Sequence, residues 1–411
     1  MLNTKIILVD GITGSGKSTA SHYITRQMKK NGIKVKWFHE GEKDNPLLSI
    51  ERNENESVVD FSKRVMIEYP RQWIDFADKI KDDDFIYIID GYLFLNVLFF
   101  PHFIYDIDWQ TIKEYSHKLL ETISYLNPVL IHFYQNDVDK ALMENWDRRG
   151  HEWTNYFISG FENTLYCKNR NIKGKSGVIK LWQDYTDYTL ELFNELNFRK
   201  IQIENSAHDW DNYKNTYLNF LQIRRFKEVL YLDSYKQYFG FYKDKGSFFR
   251  IHEKNNRLCI NAFQPNLKLV PITDNEFEME GFHISIKFYK DETSGHRMMK
   301  FIKSSFYYAE GNKYKEFTPY ELNTTELEEY CGEYLCKANK LTRKIYMQNG
   351  KLYYWRDKSN ESQILPLTKT QLMMSVRIEN QLNFNKINDK WQFPFDVKGD
   401  NPSSSLYVLK N

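Results

Sequence analysis

The stretch LVDGITGSGKST, residues 8–19, decides how the first half of the chain is read. Inside it, Gly11 to Ser18 satisfies the spacing GxxxxGK[ST] in full. An apolar run, KIILVD at 5–10, precedes it, and a helical pattern starts at residue 17. Between a strand and a helix, the backbone N–H groups of such a loop and of the first helical turn converge on one point and favour an anion. Gly11, Gly14 and Gly16 allow the backbone to close around phosphates, and Thr13, Ser15 and Thr19 complete the candidate nucleotide-binding set. Lys17 is expected to reach β- and γ-phosphate oxygens and Ser18 to ligand Mg2+, so the loop reads as an ATP site.

Outward from the loop, strand-like runs alternate with helical patterns as far as residue 225, the sign of a parallel sheet covered by helices. Strands are predicted at 5–10, 34–40, 85–90, 129–134 and 200–204. Helices are predicted at 17–31, 57–80, 108–126, 137–149, 151–168, 176–197 and 209–223, with a kink or break at Pro70. From residue 226 the texture becomes short Tyr-, Phe-, Ile- and Leu-rich runs separated by turn dipeptides such as NN, DN and NG, which predicts β structure. That region repeats itself: YFGFY at 238–242 aligns with YCGEY at 330–334, Leu258 with Leu352, and LVPIT at 269–273 with ILPLT at 364–368. The expected architecture is an α/β P-loop NTPase domain at 1–225 followed by a duplicated β-rich module, 226–318 and 319–411.

A chain of 411 residues exceeds what one core usually organises, in keeping with that division. With 57 Lys and Arg against 55 Asp and Glu, the formal charge is +2, so nucleic acid is not the favoured partner; a local basic groove would not register in this sum. The four cysteines are sparse and lack a second pair to complete a zinc site, so they read as reduced thiols. No apolar stretch reaches the roughly 18 residues of a membrane span, and a cytoplasmic protein without membrane contact is expected.

Phosphoryl transfer requires an acid or base near the acceptor, a metal-organising carboxylate and cations that neutralise the transferring group. Glu40 ends the second predicted strand in FHEGEKDNP, at the sheet edge where open α/β sheets bind ligands, which makes it the candidate base; Glu42 and Asp44 are its acidic neighbours. His39 beside it reads as a packed histidine. Asp90 ends the apolar strand FIYIID, a position from which a carboxylate can hold Mg2+.

On the loop GITGSGKS, residues 1–225 resemble the P-loop kinases grouped around thymidylate and deoxynucleoside kinases. The resemblance implies an ATP-dependent kinase and a glutamate at the position of Glu40. It also implies Glu-Arg after the third strand, whereas this chain has Asp90-Gly91. The segment ENWDRRGHEW at 144–153 resembles the lid of these kinases, which would bring Arg149 or Arg148 onto phosphate and exclude water. The plain alternative for Arg148 is a helical ion pair with Glu144. YPRQW at 69–73 falls on the helix that forms the acceptor wall in the resembling kinases, placing Arg71, Gln72 and Trp73 there, against a reading of simple packing with Trp73 in the core.

The two β units resemble the small barrel modules appended to penicillin-binding-protein-like hydrolases, but the chain has no SxxK serine motif. They suggest an accessory role in substrate selection, homodimerisation or binding of a protein partner. The leading expectation is a kinase acting with ATP and Mg2+ on a small-molecule acceptor, nucleoside- or nucleotide-like in the resembling group. The second is a P-loop ATPase or nucleotide switch whose tail binds a protein, and the third is end-processing of nucleic acid.

Overall fold

The computed structural model describes residues 3–40, 42, 45–47, 50–149, 151–228, 232–244, 248–262, 266–304, 310–338, 340–357, 360–374, 381–394 and 406–410, less the side chains of 96, 97, 148, 149, 151–153, 356, 357, 360, 362, 374 and 381. The chain divides into two compact units, Met1–Glu228 and Val229–Asn411.

The first unit runs β1 (Ile6–Gly11), α1 (Lys17–Lys30), β2 (Val35–Phe38), α2 (Val58–Ile80), β3 (Ile86–Asp90), α3 (Tyr92–Phe94), a π-helix (Leu95–Ile104), α4 (Trp109–Ile123), β4 (Val129–Tyr134), α5 (Val138–Arg149), α6 (His151–Glu162), α7 (Leu165–Asn169), α8 (Gly174–Glu195), β5 (Arg199–Glu204) and α9 (Trp210–Phe220). All strands are parallel, in the order β2-β3-β1-β4-β5. Helices cover both faces, so a central strand must be apolar throughout. In β1, Ile6 and Leu8 enter one core, shared with α2, α4 and α8, while Ile7 and Val9 enter the other, shared with α1 and α9. Because β1 lies between β3 and β4, the chain leaves it first to one side and later to the other. A crevice results at the carboxyl ends of these strands, and the glycine loop sits there. The fold is that of a P-loop NTPase.

Three details differ from expectation. Pro70 removes one backbone donor but does not break α2, which continues to Ile80 with Trp73, Phe76, Ala77 and Ile80 packed in the core. The apolar run after Asp90 winds into a short helix and then a π-helix containing Pro101, the kind of distorted turn that often borders functional sites. The predicted helix at 151–168 is two helices; the Thr164 hydroxyl accepts from the Cys167 N–H at 3.3 Å and restarts the chain.

The second unit opens with α10 (Leu232–Tyr235). Eight strands then close into an antiparallel barrel: β6 (Gly240–Lys243), β7 (Phe248–Lys254), β8 (Arg257–Asn261), β9 (Leu267–Pro271), β10 (Glu276–Met279), β11 (Ser285–Lys290), β12 (Arg297–Lys303) and β13 (Lys313–Phe317). After α11 (Thr324–Glu328) comes a nine-stranded antiparallel sheet: β14 (Gly332–Cys336), β15 (Thr342–Gln348), β16 (Lys351–Asp357), β17 (Asn360–Pro366), β18 (Gln371–Met374), β19 (Gln381–Asn383), β20 (Asn385–Ile387), β21 (Lys390–Pro394) and β22 (Leu406–Leu409).

The repeat is visible atom by atom. Tyr242 donates to the Tyr238 carbonyl at 2.9 Å, and Tyr334 to the Tyr330 carbonyl at 2.8 Å. The hydroxyls of Tyr238 and Tyr330 in turn donate to the carbonyls of Asp274 and Lys369. In PIT and PLT, Thr273 and Thr368 each accept from the backbone N–H three residues on, at 3.1 and 3.0 Å. The repeated tyrosines are therefore core residues whose polar ends are satisfied by backbone.

Candidate active site

The phosphate loop is held from three sides. The Asn205 side chain, in the turn after β5, donates to the Ser15 carbonyl, and its own N–H is fixed to the Tyr134 carbonyl at 3.0 Å. The ring of Trp210, first residue of α9, lies over Gly16, where an added Cβ would come within 2.1 Å of it. Gly16 also caps α1 in the left-handed region, φ 85°, so both its conformation and its neighbour exclude a side chain. The buried Asn145 of α5 lies against Gly14. Thr13, Ser18 and Thr19 are partly exposed, while Ser15 is fully buried.

Four charged groups meet at the crevice. Lys17 Nζ lies 3.6 Å from Glu40 Oε2, with Glu40 half exposed at the end of the β2 edge. Burial opposes the charged form of Lys17, but the carboxylates of Glu40, Asp90 and Asp10 outweigh it and hold the ammonium above the ordinary lysine range. Asp90 is 0% exposed, and neither carboxyl oxygen has a hydrogen-bond partner among the described residues. Burial, reinforced by the charge of Glu40, raises its pKa; Lys17 and the neighbouring Ser18 and Trp37 counter this in part. Asp10, the residue before the loop, is 2% exposed and accepts from the N–H groups of Gly11 at 2.8 Å and Phe94 at 3.0 Å. Burial pushes its carboxyl up to about 7 despite those bonds.

A glycine at position 91 has a steric reason. It is left-handed, φ 78°, and a Cβ on it would stand 2.5 Å from Glu40 Oε2 and 3.0 Å from Lys17 Cε. Only glycine leaves room for that carboxylate and that lysine together.

The structure separates the other candidates. Glu42 turns back on its own loop, accepting from the His39 N–H at 3.4 Å. Asp44 and Gly150 lie outside the described residues, as do the side chains of Arg148 and Arg149, whose backbone ends α5. Glu144 is engaged by Lys140 at 4.0 Å and His208 at 3.5 Å. Burial lowers the pKa of His39, whose ring packs edge-on against Trp37. Trp73 is 0% exposed in the core, which removes it from any acceptor wall, while Arg71 is exposed. Sequence reasoning missed Asp10, Asn145, Asn205 and Trp210. Asp10 alone had a signal, a carboxylate ending an otherwise apolar strand next to the loop.

Among the described residues there is no cluster of three or more His, Cys, Asp or Glu side chains suited to a metal, and no helix is long and apolar enough to cross a membrane. No family model matches the chain, and no curated protein matches it. Solved structures that resemble it include a thymidylate kinase from Ehrlichia chaffeensis, 14% identical, covering 53% of this chain and 97% of that one with a TM-score of 0.30. A deoxyadenosine kinase from M. mycoides with bound dATP is 18% identical over 53% of this chain and 99% of that one, TM-score 0.30. A GTPase from Pyrococcus abyssi is 14% identical over 53% and 98%, TM-score 0.22.

Proposed function

We propose that the first unit is an ATP-dependent phosphotransferase acting on a small-molecule acceptor, with nucleosides and nucleotides the first class to try. The observation that carries this reading is Glu40 Oε2 at 3.6 Å from Lys17 Nζ above Gly91. A carboxylate so close to the phosphate-loop lysine stands where an acceptor hydroxyl would meet a γ-phosphoryl group.

In this reading the loop amides and Lys17 bind the β- and γ-phosphates. Ser18 and the unpartnered carboxylate of Asp90 fit a Mg2+ ion, which would draw charge from the phosphate oxygens when bound. Phosphates reaching Lys17 loosen its pair with Glu40. Glu40 then accepts the acceptor's proton as the new P–O bond forms and the bond to the ADP oxygen breaks. Arg149 or Arg148, one turn beyond Asn145 in sequence, would neutralise the transferring group. The two β modules are accessory, through partner binding or dimerisation.

The test is ADP release measured across a panel of hydroxyl and phosphate acceptors, with Lys17→Ala and Glu40→Gln as controls. Turnover that depends on one acceptor class and is lost in both variants supports the proposal. Hydrolysis that ignores every acceptor and survives Glu40→Gln overturns it in favour of a nucleotide switch.

A further inference from the structure

The outer face of the first barrel carries three adjacent cross-strand rows. Lys287, Lys300 and Lys313 stand opposite one another on β11, β12 and β13. The next row is Tyr289, Met298, Lys315 and Lys243, continuing onto β6. The third is Phe317, Phe241 and Arg250, reaching β7. Their inward neighbours, among them Phe288, Met299, Tyr314, Tyr242 and Ile251, fill the barrel, so these rows face outward.

Like charges directly opposite each other destabilise a sheet. Here Lys300 has a lysine on either side, and Lys315 faces Lys243. Among the described residues the one carboxylate in these rows is Glu276, opposite Lys287 at the β10 end. Glu276 on β10 takes up Lys287 at 2.7 Å, and Asp291 is held by its own turn through Ser294 at 2.8 Å. Lys243, Lys300, Lys313 and Lys315 make no ion pair among the described residues, although the charge of Lys313 reaches Asp291; three of the cations on this face lie over rings. Lys243 lies over Phe317 at 4.8 Å, Arg250 over Phe241 at 5.7 Å and Lys300 over Tyr289 at 5.8 Å.

The second copy is an internal control. The same registers put Glu333 and Leu335 where the first copy has Phe241 and Lys243, and Lys344 where it has Arg250. Val408 and Leu406 replace Lys315 and Lys313, and Gln392 and Pro394 replace Met298 and Lys300. Lys410 there pairs with Glu333 at 3.0 Å. One scaffold therefore exists in a form with two cations and one carboxylate at these positions and in a form with five cations and no carboxylate there, and the difference is not demanded by the fold.

We propose that this face of the first barrel binds a single-stranded nucleic acid, its lysines and Arg250 following the phosphates and Tyr289, Phe241 and Phe317 offering ring faces to bases. Cations interleaved with stacking surfaces suit a strand whose bases are free. An acidic protein segment would use the charges and leave the rings idle. The inference stands apart from the phosphotransfer reading, and the net charge of +2 conceals it because acidic residues elsewhere offset this patch.

The test is fluorescence anisotropy of full-length protein with labelled oligo(dT) and oligo(U) of about 15 nucleotides, the two arms separating DNA from RNA. With Lys243, Arg250, Lys300, Lys313 and Lys315 on phosphates, the affinity should fall roughly 100-fold between about 50 and 200 mM salt. Lys300→Glu combined with Lys315→Glu should weaken binding at least ~30-fold. Phe317→Leu should weaken it a few-fold without changing the salt dependence, while Lys344→Glu and Lys17→Ala leave it intact. The double variant should also unfold at a higher temperature than wild type, because it removes like-charge neighbours, so loss of binding through misfolding is recognised directly. Absence of binding to both oligonucleotides, equal loss in Lys344→Glu, loss in Lys17→Ala, or tighter binding of a poly-glutamate peptide of the same length would each overturn the proposal.

Discussion

At the phosphate loop, Asp10, Lys17 and Asp90 are drawn out of water together, and two of the three are carboxylates lifted by burial. The β modules arrange charge the other way. Their buried polar residues, among those described, are Asn261, Ser285 and Arg343 with no carboxylate, and their lysines stand on the outer surface. Burying an unpaired carboxylate works against folding, whereas a sheet packed with apolar residues and backbone-satisfied tyrosines supports it. Asp10 is partly compensated by two backbone N–H groups, whereas Asp90 has room for a partner that a bound ligand would supply. On the proposed reading, strain of this kind separates the unit that does chemistry from the β modules.

That contrast can be broken by experiment. Lys17→Ala should reduce ATP turnover about a thousandfold, ~4 kcal/mol in the barrier, while paired charge reversals on the barrel leave turnover alone. Equal effects from both regions would erase the distinction. Gly91→Ala should cost about a hundredfold in kcat, because its Cβ claims the space of the Glu40 carboxylate; steady-state kinetics decides this.

The contrast also has a pH signature. The folded-state pKa of Asp10 is raised to about 7 from an ordinary 3.8, so its protonated form favours the fold. Its contribution is complete below about pH 4, declines as pH rises and is gone above about 7. Against the nucleotide-free wild type, Asp10→Asn should lose less stability across that window, by on the order of 2 kcal/mol after relaxation around the buried group, as read by urea unfolding at a series of pH values. The smallest effect concerns the scaffold. Tyr242→Phe and Tyr334→Phe should each cost about 1 kcal/mol and by similar amounts, since each deletes the same hydroxyl-to-carbonyl bond in its own copy. A large inequality would show that the two modules have ceased to be equivalent in their cores as well as on their surfaces.

Much of the first unit was legible because its signals are local. A mostly apolar six-residue strand, a glycine loop and a helix adjoin in sequence, β3 and β4 are apolar runs, and β2 and β5 alternate apolar with polar residues. Glu40 and Asp90 could be named for the same reason: each ends a strand run, and the crevice lies at strand ends. Asn205 and Trp210 could not, since they reach the loop only when β5 is laid beside β4, which brings Asn205 to Ser15 across 190 residues of sequence. The π-helix escaped too, because an apolar run that long gives no periodicity from which its winding can be read. In the tail, turn dipeptides and the repeat revealed the strands, but the basic rows arise from register between β11, β12, β13, β6 and β7. Register is invisible until the barrel closes.

The contact between Lys17 and Glu40 has a thermodynamic consequence on the proposed reading. Before any nucleotide arrives, the lysine already has an internal anion, and incoming phosphate must compete with it. Glu40 therefore acts as a built-in competitor of the ligand as well as a participant in the reaction. Replacing it by glutamine should pull two measurable quantities apart, tightening the equilibrium binding of ATP while slowing its use. A residue that served the chemistry alone would leave the first of these unmoved.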